Sequence, residues 1–212
     1  QRPQALLGAD PRKLKVIANG IDLTRFKSIA PAPVDARPTM ALIGRVVPIK
    51  DVKTFIEAAH LLKASVANVR ALVIGPTDED PEYHAECVAL VTEHGLEGTV
   101  IFTGAVNILD YLPQIHVMVL TSLSESQPLV VLEAGAAGIP FVSTDVGSCR
   151  EIIEGAADEQ PHHGPGGVIT HLAAADEIAE ACARLLTDEA WRKAAGAALK
   201  ARVSASYASE KA

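Results

Sequence analysis

The chain has little that would tie it to a covalent or metal framework. Its 212 residues hold three cysteines, Cys87, Cys149 and Cys182, far apart and without a Cys-x-x-Cys pair. An odd, scattered set excludes a disulfide scaffold and a zinc knuckle, and fits buried reduced thiols in a cytoplasmic protein. No secretory leader and no apolar run long enough to cross a bilayer occur. Basic clusters are also missing. The formal net charge is −7 and spread along the chain, so duplex nucleic acid and anionic membrane surfaces are poor partners. No Gly-x-Gly-x-x-Gly follows the first core strand, which argues against a dehydrogenase. Internal repeats and low-complexity tracts are absent too.

What is present is a large apolar fraction, 49% of residues, enough for one sizeable core. Short apolar runs alternate with amphipathic stretches. The candidate strands are 39–43, 70–74, 99–103, 117–121, 140–144 and 167–170. Continuous apolar strands separated by helices predict an α/β fold with a parallel sheet covered on both faces. Val52, Phe55, Ile56, Ala59 and Leu62 recur at helical spacing, as do Ile178, Ala181, Cys182 and Leu185. A helix over 128–138 opens at Pro128 and closes at Gly138. Helices are also expected around Pro81, over 148–153, over 173–187 and over about 189–207. Residues 15–22 read as a strand and turn. Ala30-Pro31-Ala32-Pro33 and Pro38 read as a stiff connector. The division expected is a connector over 1–38 and a sheet domain over 39–212. The start at Gln1 and the finish inside a helical pattern read as a piece of a longer protein.

A doubly wound sheet of order 3-2-1-4-5-6 binds ligands beyond its first and fourth strands. The loops leaving those strands are Gly44 to Lys50 and Ser122 to Pro128. Gly44 leaves room for phosphate beside the backbone, Arg45 can fork onto phosphate oxygens, and Lys50 supplies a point charge. Lys50 precedes Asp51, an expected helix cap, so this cation faces a positive helix end and calls for an anion nearby. At Pro128 the amides of Leu129 and Val130 open a helix toward phosphate. Glu125 and Glu133 flank that opening, and carboxylates beside a diphosphate suit sugar hydroxyls. The convergence of these groups reads as half of a nucleotide-sugar site.

Asn19-Gly20-Ile21-Asp22, Gly44-Arg45 with Lys50, Glu125-x7-Glu133 and Asp145-Val146-Gly147 follow one another in an order that resembles the C-terminal domain of GT-B retaining glycosyltransferases of family 4. The stretches GRVVPIKDVKTFI and DVGSCREIIEG are similar to the branch of that family acting in Pel exopolysaccharide biosynthesis. The resemblance implies a Rossmann-like half of a GT-B fold and a hexosyltransferase taking sugar from a UDP-linked donor such as UDP-glucose. It assigns Arg45 and Lys50 to the diphosphate, Glu133 to the ribose and Glu125 to the transferred sugar. Gly75 and Gly104 to Val106 would border the base. Many relatives carry Gly-Phe where this chain has Ser126-Gln127. A polysaccharide acceptor would be bound by an N-terminal domain absent here, within a membrane-associated synthase complex. This chain should then bind nucleotide yet transfer no sugar alone. No cofactor and no metal dependence are expected. A nucleotide-sugar epimerase of the same fold and a non-catalytic nucleotide-binding module are the alternatives.

Other polar groups read as structural. His162-His163 lies in a Gly/Pro-rich loop, His116 opens a strand, and Trp191 sits at helical spacing. Asp78-Glu79-Asp80 could hold Mg²⁺ but suits the cap of the next helix better. Ser122, Ser124 and Ser126 lack a His/Asp arrangement. Asp145 and Glu151 either shape the crevice or cap the short helix after it.

Overall fold

The computed structural model describes residues 19–209. Of the strand and turn expected over 15–22, residues 15–18 lie outside that range. Six strands run in one parallel sheet: β1 Thr39–Ile43, β2 Arg70–Ile74, β3 Val100–Gly104, β4 Val117–Leu120, β5 Phe141–Thr144 and β6 Gly167–Thr170. Their order is β3-β2-β1-β4-β5-β6, the doubly wound order expected from the sequence. Small boundary differences have local causes. Pro140 has no N–H for the ladder, so β5 begins at Phe141, while the Pro140 carbonyl still accepts from the Met118 amide at 3.0 Å.

The helices are α1 Val52–Lys63, α2 Pro81–Glu93, α3 Leu129–Ala137, α4 Cys149–Glu154, α5 Ala175–Thr187 and α6 Glu189–Ser206. Successive strand residues face opposite layers, because side chains alternate along a strand. Met40, Leu42, Ala71, Val73, Val117 and Val119 pack with α1, α2 and α5. Ala41, Leu72, Ile74, Met118, Leu120 and Phe141 pack with α3, α4 and α6. Every residue of the Val52, Phe55, Ile56, Ala59 and Leu62 stripe is buried.

The segment ahead of β1 is tied to the sheet domain. The Ile21 amide donates to the Tyr207 carbonyl at 2.7 Å, and the Ser209 amide donates to the Ile21 carbonyl at 3.0 Å. Asp22 caps a short 3₁₀ turn, Leu23–Phe26, whose Phe26 is buried. His116 is buried at the start of β4, where Nδ1 accepts from the Thr39 amide at 3.3 Å. That acceptor role leaves the proton on Nε2, which donates to the Pro33 carbonyl at 3.1 Å. Burial lowers the His116 pKa, keeping the imidazole neutral.

Gly75 follows β2 with φ +147°, and a Cβ there would lie 2.1 Å from the Gly44 carbonyl oxygen. Its amide donates to Gly104 at 3.1 Å, while the Gly44 amide donates to Ile74 at 2.9 Å. Three strand ends are thus drawn together where only a bare Cα fits. Gly75→Ala should cost about 3 kcal/mol or more, since strained backbone and a backbone clash coincide. Chemical denaturation would check it; a loss below about 1 kcal/mol would mean that the strand ends relax freely.

Candidate functional site

The two loops at the switch point meet as the strand order requires. The Leu123 amide donates to the Ile49 carbonyl at 2.9 Å, and the Thr121 hydroxyl donates to the Lys50 carbonyl at 2.8 Å. Pro48–Lys50 form a 3₁₀ turn, after which Asp51 takes a left-handed conformation, φ 47°. Asp51 caps α1, accepting from the Thr54 hydroxyl at 2.6 Å. The Lys50 ammonium therefore projects from a short, doubly fixed turn into the crevice.

The anion that Lys50 calls for is Glu125. Lys50 Nζ lies 2.6 Å from Glu125 Oε1, with the side chains only 19% and 16% exposed. Their expected tasks are separate, phosphate for Lys50 and sugar for Glu125; here the two side chains neutralise each other. Arg45 is likewise paired, through Nη1 with Glu79 Oε1. That hydrogen bond and charge raise the Arg45 pKa. Glu79 belongs to the Asp78-Glu79-Asp80 triplet ahead of α2. Asp80 is the cap, accepting from the Tyr83 amide at 3.0 Å. Among the described residues no group of three or more His, Cys, Asp or Glu side chains is placed to hold a metal ion.

The loop carrying Glu125 is held from both sides. Ser126 accepts from the Ser148 amide at 3.0 Å. Gly147, φ +55°, sits so close that a Cβ would lie 2.2 Å from the Ser126 carbonyl oxygen. On the other side, Gln127 Oε1 accepts from the Asn19 amide at 2.7 Å. The Gln127 carbonyl accepts from Asn19 Nδ2 at 3.3 Å. Gln127 thus clamps the loop to the segment before β1. Sequence reasoning had no signal for this clamp, because its partners are 108 residues apart.

Pro128 precedes α3 without a side-chain cap. The Val131 amide closes back on the Pro128 carbonyl at 3.2 Å, so the Leu129 and Val130 amides form the opening of the first turn. Glu133, on the same helix, is part-buried. Burial raises its pKa, partly countered by the charge of Arg25 in the adjacent 3₁₀ turn. Beyond the ends of β1, β2 and β3 lies a cleft of about 260 Å³ whose lining includes Gly44, Arg45, Gly75, Pro76, Val106 and Ile108. Gly104 underlies it through its bond from Gly75. A separate cavity of about 240 Å³ sits at the opposite end of the sheet, around His116 and Pro140.

The arrangement offers cations, helix amides and a largely apolar slot within one rim, with carboxylates beside them. Cys149, buried under the rim, has its thiol pushed up to about 11 by burial, with the charges of Glu125 and Asp145 adding. It is no nucleophile at neutral pH. Asp145 is paired with Arg150 at 2.8 Å. The histidine pair is peripheral: His162 Nδ1 lies 3.6 Å from Glu159, a partner not anticipated from the sequence. Trp191 packs at the core margin beneath Arg184, whose guanidinium is 4.3 Å from the ring centre.

Among the described residues no helix is long and apolar enough to cross a membrane. The fold is shared with known structures. The Anabaena protein HepE, solved with UDP, superposes with a TM-score of 0.82 at 21% identity over 96% of this chain and 56% of that one. The C-terminal domain of LpcC from Francisella tularensis gives 0.74 at 24% identity, over 90% of this chain and all of that domain. Among curated proteins, a D-inositol 3-phosphate glycosyltransferase of Kribbella flavida is 29% identical over 91% of this chain and 47% of its own length. An N,N'-diacetylbacillosaminyl-diphospho-undecaprenol alpha-1,3-N-acetylgalactosaminyltransferase of Campylobacter jejuni is 31% identical over 88% and 48%. The chain spans about half the length of these relatives. Residues 37–188, which include both switch-point loops and the Glu125-x7-Glu133 pair, match the family described as Glycosyl transferases group 1, and the chain belongs to that family.

Proposed function

We propose that this chain is the donor-binding domain of a retaining family 4 hexosyltransferase, which moves a sugar from a UDP-linked donor to a growing exopolysaccharide. The observation that carries the reading is the rim itself. Lys50 and Arg45 stand at the switch point beside the uncapped start of α3, with Glu125 at hydrogen-bonding distance from Lys50. In this reading the diphosphate lies across Arg45, Lys50 and the amides of Leu129 and Val130. Glu133 accepts from the ribose hydroxyls, and Glu125 from the transferred sugar. The base enters the cleft bordered by Gly75, Gly104 and Val106.

The chemistry follows from charge. When the sugar–phosphate bond breaks, the sugar becomes oxocarbenium-like and the departing phosphate gains negative charge. Preformed donors aimed at that phosphate stabilise the transition state more than the ground state. Glu125 orients the sugar rather than moving a proton. Retention then needs no protein nucleophile, because the acceptor attacks on the face the nucleotide leaves. The acceptor belongs to a second, N-terminal domain, so residues 39–212 alone bind nucleotide without transferring sugar. The Pel-type wording of two stretches supports exopolysaccharide as product, a synthase complex as the setting and the cytoplasm as the place. The HepE complex with UDP supports the uridine base.

Calorimetric titration with UDP, GDP and ADP tests the reading. UDP should bind most tightly, at concentrations up to the millimolar range, about −4 kcal/mol. Glu133→Ala should weaken UDP about tenfold, as expected for a lost hydrogen bond to a charged acceptor, and leave inorganic pyrophosphate unchanged. Equal losses for both ligands would take Glu133 out of the ribose role. No binding of any nucleotide would reject the donor domain.

A further inference from the structure

Each of these two crevice cations is held by a carboxylate of this chain: Lys50 by Glu125, and Arg45 by Glu79. The two pairs differ in kind. Lys50 and Glu125 are about four-fifths covered and tie two loops of the rim together. Arg45 and Glu79 are 53% and 48% exposed, so solvent and salt screen them and the pair is too weak to serve as a structural clasp. Yet the pair is not casually placed. Arg45 lines the cleft, and the Val46 amide beside it donates to the Pro76 carbonyl at 3.0 Å. That bond joins the loop after β1 to the loop that carries Glu79. Asp80, next to Glu79, is fixed as the cap of α2. Glu79 is therefore presented to Arg45 from a short, anchored turn.

We propose that Glu79 is an internal competitor of the donor diphosphate, occupying the Arg45 guanidinium that bound phosphate would take and thereby setting how tightly the site holds its ligand. The inference rests on the nucleotide-sugar reading above. A guanidinium forks equally onto carboxylate or phosphate, so the exchange replaces one charge-assisted contact with another. The exchange keeps Arg45 paired both before and after binding and returns the Glu79 carboxylate, about half exposed, to solvent. It also lowers the affinity for a diphosphate from what a free Arg45 would allow. Such a setting favours release of the nucleotide left after transfer.

The test compares Glu79→Gln with Asp78→Asn in this chain. Both remove one negative charge from the same loop, but only the first removes the Arg45 partner. At fixed ionic strength, Glu79→Gln should tighten UDP and inorganic pyrophosphate about threefold, in keeping with the modest worth of an exposed ion pair, with the melting temperature unchanged. Asp78→Asn should change neither affinity by as much. Unchanged or weaker binding in Glu79→Gln overturns the proposal and leaves the donor site standing. An equal gain in both variants also overturns it, since a general field would then explain the effect. If neither UDP nor pyrophosphate binds the parent chain or Glu79→Gln, the proposal and the donor reading fall together.

Discussion

In a protein carrying both domains, Lys50→Ala is expected to lower turnover about 10²- to 10³-fold, the range seen when one preorganised donor to a developing anion is removed. On the proposed donor reading, a 3₁₀ turn and an inter-loop bond fix the Lys50 backbone and so place the ammonium at the rim before charge grows on the departing phosphate. The same substitution strands Glu125, which is only 16% exposed, without its counter-ion. A loss of stability must therefore be separated from a loss of chemistry. The double variant Lys50→Met with Glu125→Gln removes the charge imbalance and should recover the melting temperature while turnover stays low. Recovery of turnover in that double variant would make the ion pair structural and remove Lys50 from the transition state. Steady-state kinetics of the single variant should show the effect in kcat as well as kcat/KM, because the charge stabilised is greatest at the transition state.

Arg202→Met should destabilise the fold by about 3–5 kcal/mol, because it leaves the largely buried Glu159 carboxylate without its guanidinium counter-ion. Arg202 is 2% exposed on α6. Its guanidinium reaches Glu159 through Nε and through Nη2, the latter at 2.9 Å. It also donates to the Ile153 carbonyl at 2.9 Å and the Gly164 carbonyl at 2.7 Å. One planar fork thus fastens α6 to the end of α4 and to the loop before β6. Arg202→Lys should rescue little, since an ammonium cannot span those acceptors.

The fork also sets an acid limit on stability. Arg202 holds the Glu159 carboxyl at about 2, below its ordinary value of 4.5. A carboxylate depressed on folding contributes stability that is fully present above its unfolded pKa and lost as pH falls toward the folded value. Denaturation followed from pH 5 down to pH 2 should therefore show a decline that Glu159→Gln reduces. An identical acid decline in Glu159→Gln would assign it to other carboxylates.

How much was legible in advance differs between the sheet and the site. Strand positions could be read because buried parallel strands are continuous apolar runs, and strand order because doubly wound sheets share a small set of topologies. Even the Asp51 cap could be read, from a carboxylate placed just before an apolar helical stripe. The approach of the two loops followed from strand order alone. The pairings inside the crevice did not. Lys50 and Glu125 are 75 residues apart, and Arg45 and Glu79 are 34 apart on different loops. No periodicity connects them, and their contact depends on a left-handed residue at 51, a 3₁₀ turn and side-chain rotamers. The Gln127–Asn19 clamp was hidden for the same reason, and so was the Arg202–Glu159 fork, because a long basic residue on a helix reads by default as solvated.

By itself, the order of apolar runs, caps and charged loops determined a doubly wound sheet, one crevice and the kinds of side chain that line it. Those features are local or topological, and short-range chemistry encodes them. The tertiary structure alone decided which charges meet, because ion pairs form across loops whose curvature no single segment specifies. It turned two cations that stand apart from any carboxylate partner in the sequence into two that are each paired with one, Lys50 with Glu125 and Arg45 with Glu79.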